Sequence, residues 1–228
     1  MSTTFILIRH AQSLSNTRSV AAGKLDEGLS KLGIEQAELL GKYLSNRKID
    51  SIYSSPKLRA VQTAEIIKFH QKKYNDRDIP LTLHTDLREI DHGIYEGLGK
   101  IDFLKLSHQD FYNLENCPGK FDPPNGEAGY LVYRRMKNTL LSLASTNDER
   151  TIAVVSHGFF ISTAIGFAEG KDELSFDRFL VANSSINELI IDKSGTTNLI
   201  ATDFCPHLNK NLQTPPIELR GRFAKLNL

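Results

Sequence analysis

Thr4-Phe5-Ile6-Leu7-Ile8 is a run of five residues with buried-strand character that breaks directly into Arg9-His10-Ala11 and a polar turn holding Ser13 and Asn16. A strand without a polar face has to be covered on both sides, the usual condition of a parallel sheet flanked by helices. The end of such a strand is where the chain first meets solvent. Here that position carries a permanent cation and an imidazole, so an anion site, phosphate in particular, is the first expectation.

The same strand–turn–helix unit recurs. After the polar turn, Ser30 reads as the N-cap of a helix in which Ile34, Ala37, Leu40 and Leu44 share a face. Ile49 to Tyr53 reads as the second strand. Ser54-Ser55-Pro56 then supplies a cap followed by a first-turn proline, opening a helix with Ala60, Ala64 and Ile67 inside and Arg59 in its first turn. A third strand through Leu81 to Leu83 ends near Leu87-Arg88-Glu89. Residues 91–125 are rich in glycine, proline and aromatics and read as an excursion over the active face rather than a separate domain.

A long helix from about Glu127 to Ala144 follows. Next come the β-branched run Thr151 to Val155, the triplet Ser156-His157-Gly158 and an apolar helix from Phe159 to Phe167. Ser184 to Ile191 and Leu199 to Thr202 read as the last strands. The expectation is an α/β protein: a three-layer α/β/α sandwich with a mostly parallel central sheet. It is read as one domain over residues 1–228, with a lid-like insertion at about 92–126 over the strand C-terminal ends and a tail after 208. Ligands of such sheets bind outside those ends. Arg9, His10, Arg59, Glu89 and His157 all fall there or just after.

Composition narrows the class. With 228 residues, 40% apolar and 24% charged, the chain is an ordinary globular one able to bury a substantial core. A formal charge of +1 argues against nucleic acid or an anionic membrane as the main partner. No run approaches the ~18 apolar residues of a membrane span, and the stretch before Arg9 is too short for a signal-peptide core. A cytoplasmic protein is expected, and no feature fixes an oligomeric state. Cys117 and Cys205 lack any metal or redox spacing and read as reduced thiols. No metal is expected either: there is no HxH or HExxH motif, and Arg9 beside His10 repels a cation.

A phosphate monoester needs donors from several directions, and its transfer needs cations around the equatorial oxygens. Arg9 and Arg59 can supply permanently charged forks; Ser13, Asn16 and backbone N–H groups can add neutral donors. His10 can attack phosphorus if neutral, a state that neighbouring arginines favour. His157 can donate to a phosphoryl oxygen, and Gly158 leaves room for the ligand to approach. Glu89 is placed to protonate the leaving alkoxide. Taken singly, each residue also has an ordinary structural reading. His70, His84, His92 and His108 lack such context and read as surface or loop residues.

Together these residues resemble the histidine phosphatase superfamily, also called the phosphoglycerate-mutase-like family. Its Arg-His-Gly triplet is Arg9-His10-Ala11 here, with alanine in place of glycine. The likeness continues through Ser13 and Asn16, and through Leu29-Ser30 with Gly33 and Gln36-Ala37. Tyr53-Ser54-Ser55-Pro56 to Thr63-Ala64 and Leu87-Arg88-Glu89 with Tyr95-Glu96-Gly97 extend it. Gly126-Glu127-Ala128 with Arg135, Val155-Ser156-His157-Gly158, and Asp203 with His207-Leu208 complete it. It spans roughly residues 4 to 208; the tail with Pro215-Pro216 lies beyond.

The resemblance implies that His10 becomes a phosphohistidine and that Arg9, Arg59 and His157 bind the phosphoryl group. It gives Glu89 the role of proton donor and later activator of water, and places Ser13 and Asn16 in the phosphate pocket. It implies no metal or organic cofactor. It also sharpens the choice of reaction. Residues 98–125 hold Lys100, Lys105 and Lys120 but no arginine, unlike the paired-arginine stretch usual in the cofactor-dependent mutases. Arg134-Arg135 falls later, on the long helix. Hydrolysis of a small phosphorylated metabolite is therefore expected ahead of a phosphoglycerate mutase. A phosphoprotein phosphatase or a silent phospho-ligand binder stands further behind.

Overall fold

The computed structural model describes residues 1–214; Pro215-Pro216 and the rest of the tail to residue 228 lie outside the described residues. Six strands form one sheet in the order β3-β2-β4-β1-β5-β6. They are β1 (Ser2–Arg9), β2 (Ser51–Ser54), β3 (Leu81–Leu83), β4 (Thr151–Ser156), β5 (Ile186–Asp192) and β6 (Thr197–Phe204). β1, β2, β3 and β4 are mutually parallel, whereas β5 runs antiparallel to β1 and β6 antiparallel to β5.

Alternation along the central strands builds two cores. Phe5 and Leu7 of β1, with Ile152 and Val154 of β4, join one apolar cluster. Ile6 and Ile8, with Ala153 and Val155, join the other. Period-2 side-chain direction in a strand buried on both faces requires this division. Helices α2 (Lys31–Leu44) and α3 (Leu58–Asn75) cover the second face. Helices α6 (Gly129–Thr146) and α7 (Gly158–Ala168) cover the first. The three-layer sandwich expected from the sequence is the architecture observed.

Ser30 caps α2 as expected, its Oγ accepting from the Gly33 N–H at 3.0 Å. Ile34 does not follow the inward face: it is 49% exposed, and Gly33, Gln36 and Gly41 take the buried positions beside Ala37, Leu40 and Leu44. Nor does the Ser-Ser-Pro start of α3 hold. The helix begins at Leu58, whose N–H is capped from a distant loop by Asp26 Oδ1 at 2.7 Å. Ser55 is drawn instead to a buried partner just past the end of β4, described below.

The excursion carries α4 (Lys100–Leu106) and α5 (His108–Asn116), with a short 3-10 turn on either side. Tyr95 stacks on Phe103 at 3.9 Å between ring centroids, Phe103 meets Phe111 edge-on, and all three belong to the same core as α6 and α7. Buried aromatic pairs of this kind hold a segment well beyond their area alone. The excursion is thus built onto the main core as a packed wall. Among the described residues no helix is long and apolar enough to cross a membrane.

Candidate active site

The parallel register of β1 and β4 matches Arg9 to Ser156, so the residues that follow, His10 and His157, come out side by side. Their ring centroids lie 5.1 Å apart at 63°. His10 Nδ1 is 2.8 Å from the Ala11 carbonyl oxygen. A carbonyl only accepts, so Nδ1 carries the proton and Nε2 keeps the lone pair. Arg59 Nε donates to that nitrogen at 3.1 Å. Burial first, then the charges of Arg59 and Arg9, hold His10 well below the usual histidine value and therefore neutral. Ala11 fits the turn without a left-handed backbone, which is why glycine is dispensable there.

His157 is fully buried behind His10 rather than on the open surface. Its Nε2 is hydrogen-bonded to Ser55 Oγ at 2.8 Å, and its Nδ1 has no partner among the described residues. Burial, then Arg59, His10 and Arg9, hold it well below the usual value too. Ser55, whose sequence context suggests a helix cap, therefore orients the second histidine.

The two arginines are spent differently. Arg59 gives one N–H to His10, one to Leu25 O at 2.7 Å and one to Ala22 O at 2.8 Å, which leaves two of the five guanidinium donors. Arg9 Nη1 donates to Val181 O at 2.5 Å, while its buried Nε has no partner among the described residues. Burial pulls the Arg9 guanidinium down to about 10 against the raising effect of Glu89. A buried guanidinium with unspent donors is costly unless an anion completes it.

The loop that Arg59 grips is itself latched. Glu96 accepts from the N–H of Gly23 at 3.0 Å and of Lys24 at 2.9 Å. Burial would raise this carboxyl, but hydrogen bonds from His92 and the backbone bring it to about 2. Gly23 has no alternative here, because a Cβ would stand 1.9 Å from Ile90 O.

Glu89 sits at the start of α7. Its Oε1 accepts from Ile90 N at 3.0 Å and Phe159 N at 3.1 Å, and its Oε2 from Phe159 N at 3.2 Å. A Cβ on Gly158 would stand between the Arg9 guanidinium and Glu89, at 3.6 to 3.8 Å from them. Its absence keeps that gap open. Arg135 pins the Glu89 segment from behind, donating to Asp86 O at 2.6 Å and Arg88 O at 3.0 Å while pairing with Glu127.

Ser13 and Asn16 part company. Ser13 is fully buried and caps α1 (Leu14–Thr17) in a reciprocal pair with Asn16. It does not reach the cavity wall where the sequence placed it, because its hydroxyl is used on Ser15 and Asn16. Asn16 does line the wall. Its Oδ1 accepts from Ser13 N at 3.1 Å, Ser13 Oγ at 3.0 Å and Asn183 Nδ2 at 3.0 Å, so Nδ2 is the end left for a ligand.

These groups border a cavity of about 130 Å³. Arg9, His10, Asn16, Arg59, Glu89 and Gly158 form its polar floor; Leu98, Lys100, Phe103, Phe111 and Leu114 of the excursion form one wall. The segment before β5 adds Arg178, Phe179 and Val181. Of the histidines read as surface or loop residues, His92 does lie in a loop but is buried and borders the cavity, and His70 is buried on α3. Sequence reasoning also passed over Arg178. Its signal was there: a lone cation inside the otherwise apolar run from Phe176 to Val181, apart from Asp177.

With that geometry in place, the likeness to known proteins is informative. A family model described as the histidine phosphatase superfamily (branch 1) matches residues 5–203. Phosphoserine phosphatase 1 of Hydrogenobacter thermophilus is 34% identical over 152 residues, covering 67% of this chain and 69% of that one. A 2,3-bisphosphoglycerate-dependent phosphoglycerate mutase of Bartonella quintana is 29% identical over 181 residues, covering 75% and 83%. Among solved structures, a mutant phosphoserine phosphatase of Entamoeba histolytica in complex with phosphoserine superposes with a TM-score of 0.73 at 27% identity, over 91% of this chain and 100% of that one.

Proposed function

Since the chain belongs to the histidine phosphatase superfamily and is a phosphoric monoester hydrolase acting on small phosphorylated metabolites, we propose that it works through a phosphohistidine formed on His10. The observation that carries this reading is the pairing of a neutral His10, its Nε2 unprotonated, with the buried Arg59 and the half-buried Arg9, which hold donors unspent among the described residues. Arg9, Arg59, Asn16 and the N–H of Gly158 receive the phosphoryl oxygens, and His157 donates from behind. Ser13 acts on phosphate through Asn16, whose amide it orients.

In the first half-reaction the His10 Nε2 lone pair leaves the Arg59 Nε–H and forms a bond to phosphorus as the bond to the leaving oxygen breaks. Glu89 passes its proton to that oxygen. In the second, Glu89 takes a proton from water, the water oxygen bonds to phosphorus and the P–N bond breaks. Inorganic phosphate leaves and neutral His10 is restored. Glu89 can serve both halves because it faces the same gap as Arg9 and Gly158. No step calls for a metal, and the cationic floor repels one.

The substrate we infer is a small phosphomonoester with a second anionic group. Two relatives named above are phosphoserine phosphatases. In this chain Lys100 and Arg178 line the far side of the cavity, so its wall carries Arg9, Arg59, Arg178 and Lys100 against Glu89. Hydrolysis over mutase action is supported by Arg134 and Arg135, which pair with Glu173 and Glu127 and do not border the cavity. The unpaired thiols of Cys117 and Cys205 fit a cytoplasmic setting.

The test is rapid quenching during turnover of phosphoserine. Label should appear as an acid-labile, alkali-stable phosphoenzyme that maps to His10, and His10→Ala should abolish both label and turnover. Label on another residue sinks the assignment.

A further inference from the structure

The site has a rear support that no catalytic role explains. Asn183 is buried just before β5 and gives both hydrogens of Nδ2 to the site: one to the His10 carbonyl at 3.1 Å, one to Asn16 Oδ1 at 3.0 Å. Its Oδ1 accepts from the Thr214 hydroxyl at 3.2 Å. That same hydroxyl accepts from Gln36 Nε2 at 3.1 Å. Gln36, fully buried on α2, uses its Oε1 to take the Gln12 N–H at 2.9 Å and its Nε2 to hold Leu212 O at 2.8 Å.

The single hydroxyl of Thr214 therefore joins two amides that grip the nucleophile loop on either side, at His10 and Asn16 and at Gln12. We propose that the segment 209–214, with Thr214 as its contact, is a positioning element that sets the amide of Asn183 and through it the phosphate loop. This rests on the reading of His10 and Asn16 as nucleophile and phosphate ligand.

The physical reason lies in the symmetry of an amide. Asn183 could be turned by 180° about its last side-chain bond, exchanging Oδ1 and Nδ2. Turned, its oxygen would face two acceptors, the His10 carbonyl and Asn16 Oδ1, and repel both. The Thr214 hydroxyl can satisfy either end of that amide only by rotating. Gln36 Nε2 takes one of its two lone pairs, and its single proton goes to the Asn183 oxygen. The two acceptors at one end of the Asn183 amide and the Thr214 proton at the other favour the same orientation, and without that proton the oxygen end is left unpaired. With Asn183 fixed, Asn16 Oδ1 is held toward the loop and Asn16 Nδ2 toward the ligand. The tail beyond Leu208, left over by the sequence motifs, acquires a task.

Thr214→Val removes the hydroxyl and keeps the shape; Thr214→Ser restores the hydroxyl. For Thr214→Val we expect kcat with phosphoserine to fall about tenfold, the scale of one lost buried hydrogen bond. The inhibition constant of inorganic phosphate should rise by a similar factor, and Tm should stay within about 2 °C of the parent. Thr214→Ser should recover at least half of the parent kcat.

Full activity and unchanged phosphate inhibition in Thr214→Val overturn the proposal. So does an equal loss in both variants accompanied by a lower Tm, which marks a general packing role. Rapid-quench labelling on the parent enzyme separates the two readings: if His10 carries no phosphate, the nucleophile assignment fails and this proposal fails with it. If His10 is labelled and Thr214→Val behaves as the parent, only the positioning role fails.

Discussion

The cavity has a floor and a wall built on opposite principles. The floor, at the ends of β1 and β4, is polar and already organised: His10 is bonded to Ala11 and Arg59, His157 to Ser55, Glu89 to the start of α7. The excursion wall is mostly apolar, with Leu98, Phe103, Phe111 and Leu114 and the one cation Lys100; Arg178 faces in from the segment before β5. The difference divides the labour. Fixed dipoles and charges near the phosphorus need no rearrangement when charge develops, which is where electrostatic catalysis gains most. A packed apolar wall with few cations decides which molecule lies behind the phosphate. The floor should govern the chemistry of every substrate, the wall only the ranking among them.

The largest effect that tests this division is on the floor. Glu89→Gln should lower kcat about 10²–10⁴-fold on an alkyl phosphate such as phosphoserine, the range of a lost general acid. It should lower kcat far less on an aryl phosphate, whose leaving group needs no proton. Equal losses on the two, measured side by side, would give Glu89 a different role and blur the comparison.

A change on the far wall should be smaller and selective. Arg178→Ala should cut kcat/KM for phosphoserine about 10- to 100-fold, the scale of one charge-assisted hydrogen bond. The rate on p-nitrophenyl phosphate should move less than about threefold. A uniform loss would mean that Arg178 belongs with the floor.

The last effect is one of pH, and it falls on stability rather than on rate. His10 and His157 sit well below the usual histidine value, and burial takes His207 down to about 4. In the unfolded chain all three protonate near pH 6.5. Below that pH the unfolded state binds more protons than the folded one, so stability is full above about 6.5 and falls as pH drops. Each histidine contributes up to about 1.4 kcal/mol per pH unit in that window. The Glu96 contribution is lost only at lower pH, between about 4.5 and 2. Denaturant midpoints at pH 7.5, 6.5 and 5.5 check the order. Activity should not follow: kcat/KM should show no histidine inflection near 6.5, since His10 stays neutral throughout.

Much of the floor is legible in the sequence. Arg9, His10 and His157 terminate apolar runs that can only be central strands, and strand ends are where such sheets bind. Register then brought together residues 147 positions apart. What stayed hidden depended on side chains choosing between local and distant partners. Ser55 carries the pattern of a helix cap but satisfies His157, because both are buried at adjacent strand ends. Ser13 carries the pattern of a ligand but caps α1, its hydroxyl taken by its neighbours. Arg178 and His92 were obscure for another reason: loops bring them in, and loop paths have no periodicity to read.

The reversal of direction at β5 has a consequence for how the molecule can be handled. A strand antiparallel to β1 begins, rather than ends, beside His10, so the segment before it and the tail after β6 both arrive at the active face. The hairpin between them, with Ser194-Gly195 at its tip, is left at the far end of the sheet, where Ser2 pairs with Asp192. Topology alone thus sets aside one exposed turn as neutral ground. A reporter, a linker or new chain termini placed there are separated from the phosphate by the full length of a strand.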